Sequence, residues 1–423
     1  MHQKTTLENG LRVVTMPLKN TQAVTVLILT GAGSRYENKK INGLSHFLEH
    51  MFFKGAERYK NTKEVSEAID GVGGEFNAFT GKEYVGYYIK VAADKVDVAM
   101  DVLSDMLINA KFDPEEIERE RGVILEEYNM YQDTPMHQIG WDFENLLYGD
   151  QPMGWDQIGT KENIRSLQRE DFIDYQAKLY TPDNVVLAIA GNVDHENMVG
   201  RVSELFKFQD GKKAYESEPV GEIKRDKFVH IRNKKTEQAH IMLGVPGYAE
   251  PHPDHYALKV LSIILGGNMS SRMFLSVRER QGLCYYVSTS TDDYSDTGLM
   301  ATNAGVTLDR IDDAIKAVLK EYSGIREELV GAEELKKAKE YLKGKLILRL
   351  EDSEEYAHLL GKYEVLYGKV RGIEEIFEEV EKVSAEDILR VAKDVLHEDR
   401  LYLTVIGPYE GEEERFKALL KFW

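Results

Sequence analysis

NVVLAIAGNVD (184–194) and RLYLTVIGPYE (400–410) each read as a buried strand closing on a glycine, Gly191 or Gly407, with a helical stretch behind it. A short apolar run bounded by turn residues is the pattern of a strand covered on both faces. The two glycines lie 216 residues apart. Working outward, VTVLILTGAG (24–33) and AHIMLGVPGY (239–248) are strands breaking into glycine-containing turns, offset by 215. PEEIERERGVILEEYNMYQD (114–133) resembles AEELKKAKEYLKGKLILRLED (332–352), offset by 218. Three segments in one order at nearly one offset indicate a duplicated unit.

Length agrees, since 423 residues exceed what one core normally serves. The polar stretch QDGKKAYESEPVGEIKRD (209–226) has glycine, proline and charge without a sustained apolar period. We therefore expect one domain over 1–210, a linker over 211–226 and a homologous domain over 227–423. Within the first half, strands are expected near 11–16, 24–30 and 184–190. EFNAFT (75–80), a Gly81-Lys82 turn and YVGYYIKVA (84–92) form a hairpin. Helices are expected near 43–54, 93–109 and 113–132. Hairpins followed by runs of helices define the α+β class: in each domain an antiparallel or mixed sheet with helices mainly on one face.

The formal charge is −19, from 54 Lys+Arg against 73 Asp+Glu. So acidic a surface repels phosphate backbones, so no nucleic-acid partner is expected. Cys284 is the single cysteine, which excludes an internal disulfide and fits a reducing compartment. The opening MHQKTTLENGLRVV has neither a signal-peptide core nor an Arg-rich transit pattern. No apolar run approaches the roughly 20 residues of a membrane span. These features set the expectation of a cytoplasmic protein without a membrane partner.

The chemistry is concentrated in NGLSHFLEHMFFKG (42–55), which reads as a helix capped by Asn42 or Ser45 and ended by Gly55. Residues four apart stand one turn above each other, so His46 and His50 can reach one ion. Glu49 sits beside that pair, where its carboxylate can take a proton from the attacking water. The order is His-x-x-Glu-His, an inverted metallopeptidase motif. Zinc suits it, accepting imidazole ligands and having no redox chemistry. A third ligand is needed, and the acidic helix EEIERERGVILEEYNMY (115–131) is the best donor. Glu120 and Glu127 are seven apart and share a face, so Glu127 can coordinate while Glu120 supports a ligand; spacing alone leaves Glu126 as an alternative. Shifting the motif helix by 215–216 lands in LSIILGG (261–267), and shifting Glu120 and Glu127 by 218 gives Ala338 and Lys345. The second half holds no ligands there, so one Zn2+ per chain is expected. His252 and His255, in EPHPDHY, read as capping or solvated residues, and Cys284 as a small core residue.

With these residues in hand, the chain resembles the pitrilysin family of inverted-motif zinc peptidases, which includes insulin-degrading enzyme and mitochondrial processing peptidase. The resemblance covers nearly the whole chain and is strongest to short, two-domain members. GLSHFLEHMFFKG is similar to the family's metal helix and ERGVILEEYNMY to its third-ligand helix, which places Glu127 at the ligand position and Glu120 at the supporting one. EFNAFT resembles the edge strand on which the family lays its substrate, with Asn77, Ala78 and Phe79 offering backbone pairing and a side-chain pocket. GGNMSSRMFLSVRERQGLCYYV (266–287) resembles the segment whose Arg and Tyr, here Arg278 and Tyr285, bind the substrate carbonyl and the developing oxyanion. The resemblance implies a zinc endopeptidase acting on peptides or unfolded polypeptide, working as a homodimer around a chamber, each active site completed in trans. Two other readings compete: a non-catalytic scaffold or partner subunit of the same fold, separated by zinc content, and a zinc hydrolase of small molecules, separated by a chelator-sensitive peptide-cleavage assay.

Overall fold

The computed structural model describes residues 1–209, 211–223 and 225–422. In the first half, β1 (Gln3–Thr6), β2 (Arg12–Pro17), β3 (Ala23–Thr30), β4 (Glu75–Thr80), β5 (Val85–Ala92) and β6 (Val185–Gly191) form one sheet, ordered β1-β2-β6-β3-β5-β4. In the second, β7 (Val229–Asn233), β8 (Ala239–Pro246), β9 (Cys284–Asp293), β10 (Gly298–Val306) and β11 (Tyr402–Gly407) are ordered β7-β11-β8-β10-β9. Without β1 the two orders coincide strand for strand. Each sheet also has its one parallel pair at the same place, β2 with β6 and β7 with β11. Duplication explains this identity of topology. The α+β class, with mixed sheets and packed helices, is the observed one.

Helices Leu44–Phe52, Val96–Ile108 and Pro114–Asp133 fall close to their expected places. β3 is buried from Val24 to Thr30 and β6 throughout, so both faces of the first sheet are covered. The helix on one of those faces comes from far along the chain: Ser353–Tyr367, whose Ala357 packs with Leu27, Leu29, Ala188 and Ala190. Gly361 on that helix permits the close approach, because a Cβ there would stand 2.4 Å from Leu29 Cδ1. Thr25 Oγ1 and Ser353 Oγ, 2.8 Å apart, share a buried hydrogen bond across the contact.

The second sheet is covered by Pro135–Tyr148, whose Ile139, Phe143, Leu146 and Leu147 pack with Met242, Leu299, Ala301, Tyr402 and Ile406. The two compact units are therefore discontinuous. One comprises Met1–Asn129, Asp156–Glu218 and Ile347–Ile373, the other Met130–Trp155, Pro219–Leu346 and Glu374–Trp423. Against consecutive domains over 1–210 and 227–423, each half lends one helix to the other's sheet, and residues 211–218 of the expected linker belong to the first unit. An amphipathic helix carries no mark of which sheet it covers, which is why this exchange has no sequence signal. Among the described residues, no helix is long and apolar enough to cross a membrane.

Candidate metal centre

The metal-motif helix runs Leu44–Phe52 and buries Leu44, Phe47, Leu48, Met51 and Phe52. That apolar stripe turns His46, Glu49 and His50 toward the other face. Its start differs from expectation: the N-cap is Gly43 in a left-handed conformation, φ 97°, and no residue of the helix caps it. A Cβ at Gly43 would lie 2.5 Å from the Ile158 carbonyl, so glycine is required there. The free N–H groups are taken instead by buried Glu37, which accepts from Gly43 N (2.8 Å), Ser45 N (2.6 Å) and Asn42 Nδ2 (3.1 Å). Burial pushes the Glu37 carboxyl up to about 7 against the pull of those donors. A carboxylate from outside the helix leaves no local spacing signal, unlike Ser or Asn at the cap itself.

Pro114–Asp133 brings the acidic side of the site. Glu127 Oε2 stands 3.5 Å from His46 Nε2 and 3.5 Å from His50 Nε2. One ligand atom from each of these three residues lies within 4.8 Å of the others. Glu126, left open by spacing, is exposed and outside this cluster. Glu120 Oε1 meets His50 Nδ1 at 2.8 Å, and its other oxygen accepts from Lys54 Nζ at 2.6 Å. Seven-residue spacing thus delivers both carboxylates to one face. Lys54 and the cap Glu37 are two participants that sequence reading missed.

The donor set fits a divalent cation. Glu127 Oε2, the oxygen that faces both imidazoles, is buried without a hydrogen-bond partner among the described residues. A tetrahedral ion with bonds of about 2.0–2.2 Å separates its ligand atoms by roughly 3.3–3.5 Å, the separation found between Glu127 and each imidazole. The protonation pattern agrees. Burial pulls the His50 imidazole down, but Glu120 and Glu127 outweigh it and hold it up at about 9. Burial raises the Glu127 carboxyl, yet His46 and His50 draw it far below the usual carboxylate range. Two carboxylates face two imidazoles here, and positive charge at their centre is favoured.

Glu49, on the same helix, accepts a short hydrogen bond from Thr80 Oγ1. Thr80 ends β4, which lies at the margin of the first sheet and pairs only with β5. Alternation along β4 puts Phe76, Ala78 and Thr80 on one face. Phe76 meets Phe53, just past the motif helix, with ring centroids 5.6 Å apart. On the opposite face, Phe79 packs against Tyr84 and His358, at 5.9 and 5.3 Å. Its ring occupies the space left by Gly86, where a Cβ would come within 2.3 Å. Phe79 is therefore a wall rather than an open pocket. Asn77 Oδ1 accepts from the Ala78 N–H (2.9 Å).

Arg278 and Tyr285 belong to the second unit. Arg278 sits in a π-helical segment, Phe274–Arg280, with its guanidinium 4.6 Å from the centre of the Phe274 ring and 5.6 Å from that of Tyr285. Tyr285 is 75% exposed at the start of β9, the edge strand equivalent to β4. The rarity of π-helix and its frequency at functional sites are notable here. Ala338 is buried and Lys345 exposed; the described residues hold a single metal-capable cluster, and it lies in the first unit. Of the remaining candidates, His255 is buried beside Asp293 rather than solvated, and Cys284 is only half-buried, its thiol raised to about 11 by burial.

Two family descriptions match the chain: "Insulinase (Peptidase family M16)" over residues 12–149 and "Peptidase M16 inactive domain" over residues 166–342. Among relatives, "Uncharacterized zinc protease SCO5738" of Streptomyces coelicolor is 36% identical, covering 97% of this chain and 90% of its own length. "Uncharacterized zinc protease YmxG" of Bacillus subtilis is 35% identical, covering 96% of this chain and 98% of its own length. The chain belongs to peptidase family M16, the insulinase family. The same fold is seen in a protease from Helicobacter pylori, with TM-score 0.91, 24% identity, and coverage of 96% of this chain and 99% of that one. A chain of complex III2 from Candida albicans shares it too, with TM-score 0.86, 20% identity, and coverage of 99% of both chains.

Proposed function

We propose that this chain is a zinc-dependent endopeptidase that cuts peptides or unfolded polypeptide segments. One observation carries the reading: His46, His50 and Glu127 converge on one point, with Glu49 beside them on the helix that supplies both histidines. The relatives' "zinc protease" names support the choice of metal.

His46, His50 and Glu127 would hold one zinc ion per chain, with Glu120 orienting His50 through Nδ1. When bound, zinc supplies Lewis acidity toward a scissile carbonyl and lowers the pKa of water to about 7. Glu49 takes a proton from the attacking water and delivers it to the leaving amine. The Thr80 hydroxyl fixes the Glu49 carboxylate beside the strand edge. An extended substrate adds to β4, where the Ala78 N–H exchanges Asn77 Oδ1 for a substrate carbonyl. Main-chain pairing of this kind gives loose sequence preference.

Arg278 and Tyr285 serve as donors to the substrate carbonyl and to charge developing on it. Two chains enclose a chamber, and each supplies this pair to its partner's zinc. Glu49→Gln should keep zinc and lower turnover by roughly 10²–10⁴-fold; unchanged cleavage would remove Glu49 as the base. Mixing Glu49→Gln with Arg278→Ala should restore part of the activity. A demonstrated mixed dimer without rescue contradicts sharing in trans. Protein with no zinc and no cleavage would instead be a scaffold subunit of this fold.

A further inference from the structure

Among the described residues, Phe112 alone of the non-glycines adopts a left-handed backbone, φ 45°. A bulky residue stays there only when its surroundings over-determine it. Here they do. The ring is buried against Phe52 and Phe172, with centroids 5.8 and 6.1 Å away. The Phe112 carbonyl accepts from Arg169 Nε at 2.9 Å, and that of Lys111 from Arg169 Nη2 at 3.1 Å. Lys111 N donates to the Gly55 carbonyl at 3.1 Å.

These contacts join the two halves of the candidate metal centre. Phe52 lies on the metal-motif helix two residues after His50, and Gly55 follows three residues beyond it. The residue after Phe112 is Asp113, whose carboxylate accepts from Glu115 N (2.8 Å) as Pro114–Asp133 begins. Ile117, buried in the first turns, occupies the position that staples the residue before a helix cap.

We propose that Phe112 is a positioning residue for the metal centre. Its ring and its left-handed backbone set the angle at which the acidic helix packs against the metal-motif helix, and so where Glu120 and Glu127 stand against His50 and His46. The inference rests on these residues holding zinc. Glu127 is 14 residues beyond Asp113, about 21 Å at about 1.5 Å per residue. A tilt of about 3° at Phe112 therefore moves the Glu127 carboxylate by about 1 Å, beyond the ~0.5 Å tolerance of a working constellation. Arg169 is the clamp that keeps the pivot from relaxing.

The test is zinc affinity of the full chain, by competition with a chelating dye far below the unfolding temperature. Phe112→Ala should weaken zinc binding roughly ten- to hundredfold. Phe112→Gly should lose as much affinity yet melt higher than Phe112→Ala, because glycine adopts this φ freely. Phe206→Ala, removing a buried ring stacked on Phe208, is the control: it should lower the melting temperature and leave zinc affinity unchanged. If the Phe112 variants do not fold, Arg169→Gln decides, with a several-fold weakening expected. Wild-type affinity in those variants, or equal weakening by Phe206→Ala, overturns the proposal. A wild-type chain that takes up no zinc overturns the metal reading itself and this inference with it.

Discussion

The metal-motif helix of the first unit and helix His255–Gly266 of the second follow equivalent strands, β3 and β8. One turns His46, Glu49 and His50 away from an apolar stripe. In the other, Ser262 and Gly266 stand 216 residues after the two histidines, and Val260 to Leu265 are buried. The acidic helix repeats the contrast, with Glu120 and its relation to His50 and Lys54 on one side and buried Ala338 on the other. Strand order survives in both units because the core demands it, whereas the charged residues are demanded only by the site. A buried carboxylate is tolerated only with partners. Once the imidazoles are absent from an equivalent helix, a small apolar residue such as Ala338 is the stable replacement.

That contrast can be broken deliberately. Ala338→Glu places a carboxyl where the second unit offers no histidine, and should destabilise the chain by about 3 kcal/mol in urea unfolding. If stability is unchanged, the second unit retains a tolerance for charge that the comparison denies it. Within the first unit, Glu120→Gln should weaken zinc binding roughly ten- to hundredfold while leaving the fold intact, as dye competition and circular dichroism will register. In the second unit, Lys345→Gln, at the position equivalent to Glu127, should leave zinc binding alone.

Acidity sharpens the comparison further. The raised pKa of His50, about 9, means that the metal-free site holds a proton at neutral pH that zinc must expel. Affinity should therefore rise about tenfold per pH unit and level off near 9. Levelling near 6.5, the ordinary histidine value, would show that Glu120 and Glu127 do not hold that proton.

Much of this is legible in the sequence. Period and punctuation exposed the duplication, because β6 and β11 are buried on both faces and are apolar but for Thr404. Helical spacing placed His46 with His50 and Glu120 with Glu127, since three to four residues per turn leave few alternatives. Spacing did not separate Glu127 from Glu126; that depends on the helix's azimuth, set at Phe112 by tertiary packing. Glu37 and Thr80 reach the motif helix from other elements, and such contacts have no period to read; Lys54, four residues after His50 in the motif segment itself, meets Glu120 only through the packing of the two helices. The exchange of Pro135–Tyr148 and Ser353–Tyr367 was hidden for the same reason.

Elemental analysis of purified chain, beside His50→Ala prepared identically, addresses the metal centre most directly. One zinc per wild-type chain and none in the variant is the result predicted here. Equal metal in both proteins, or none in either, would contradict a centre built from His46, His50 and Glu127.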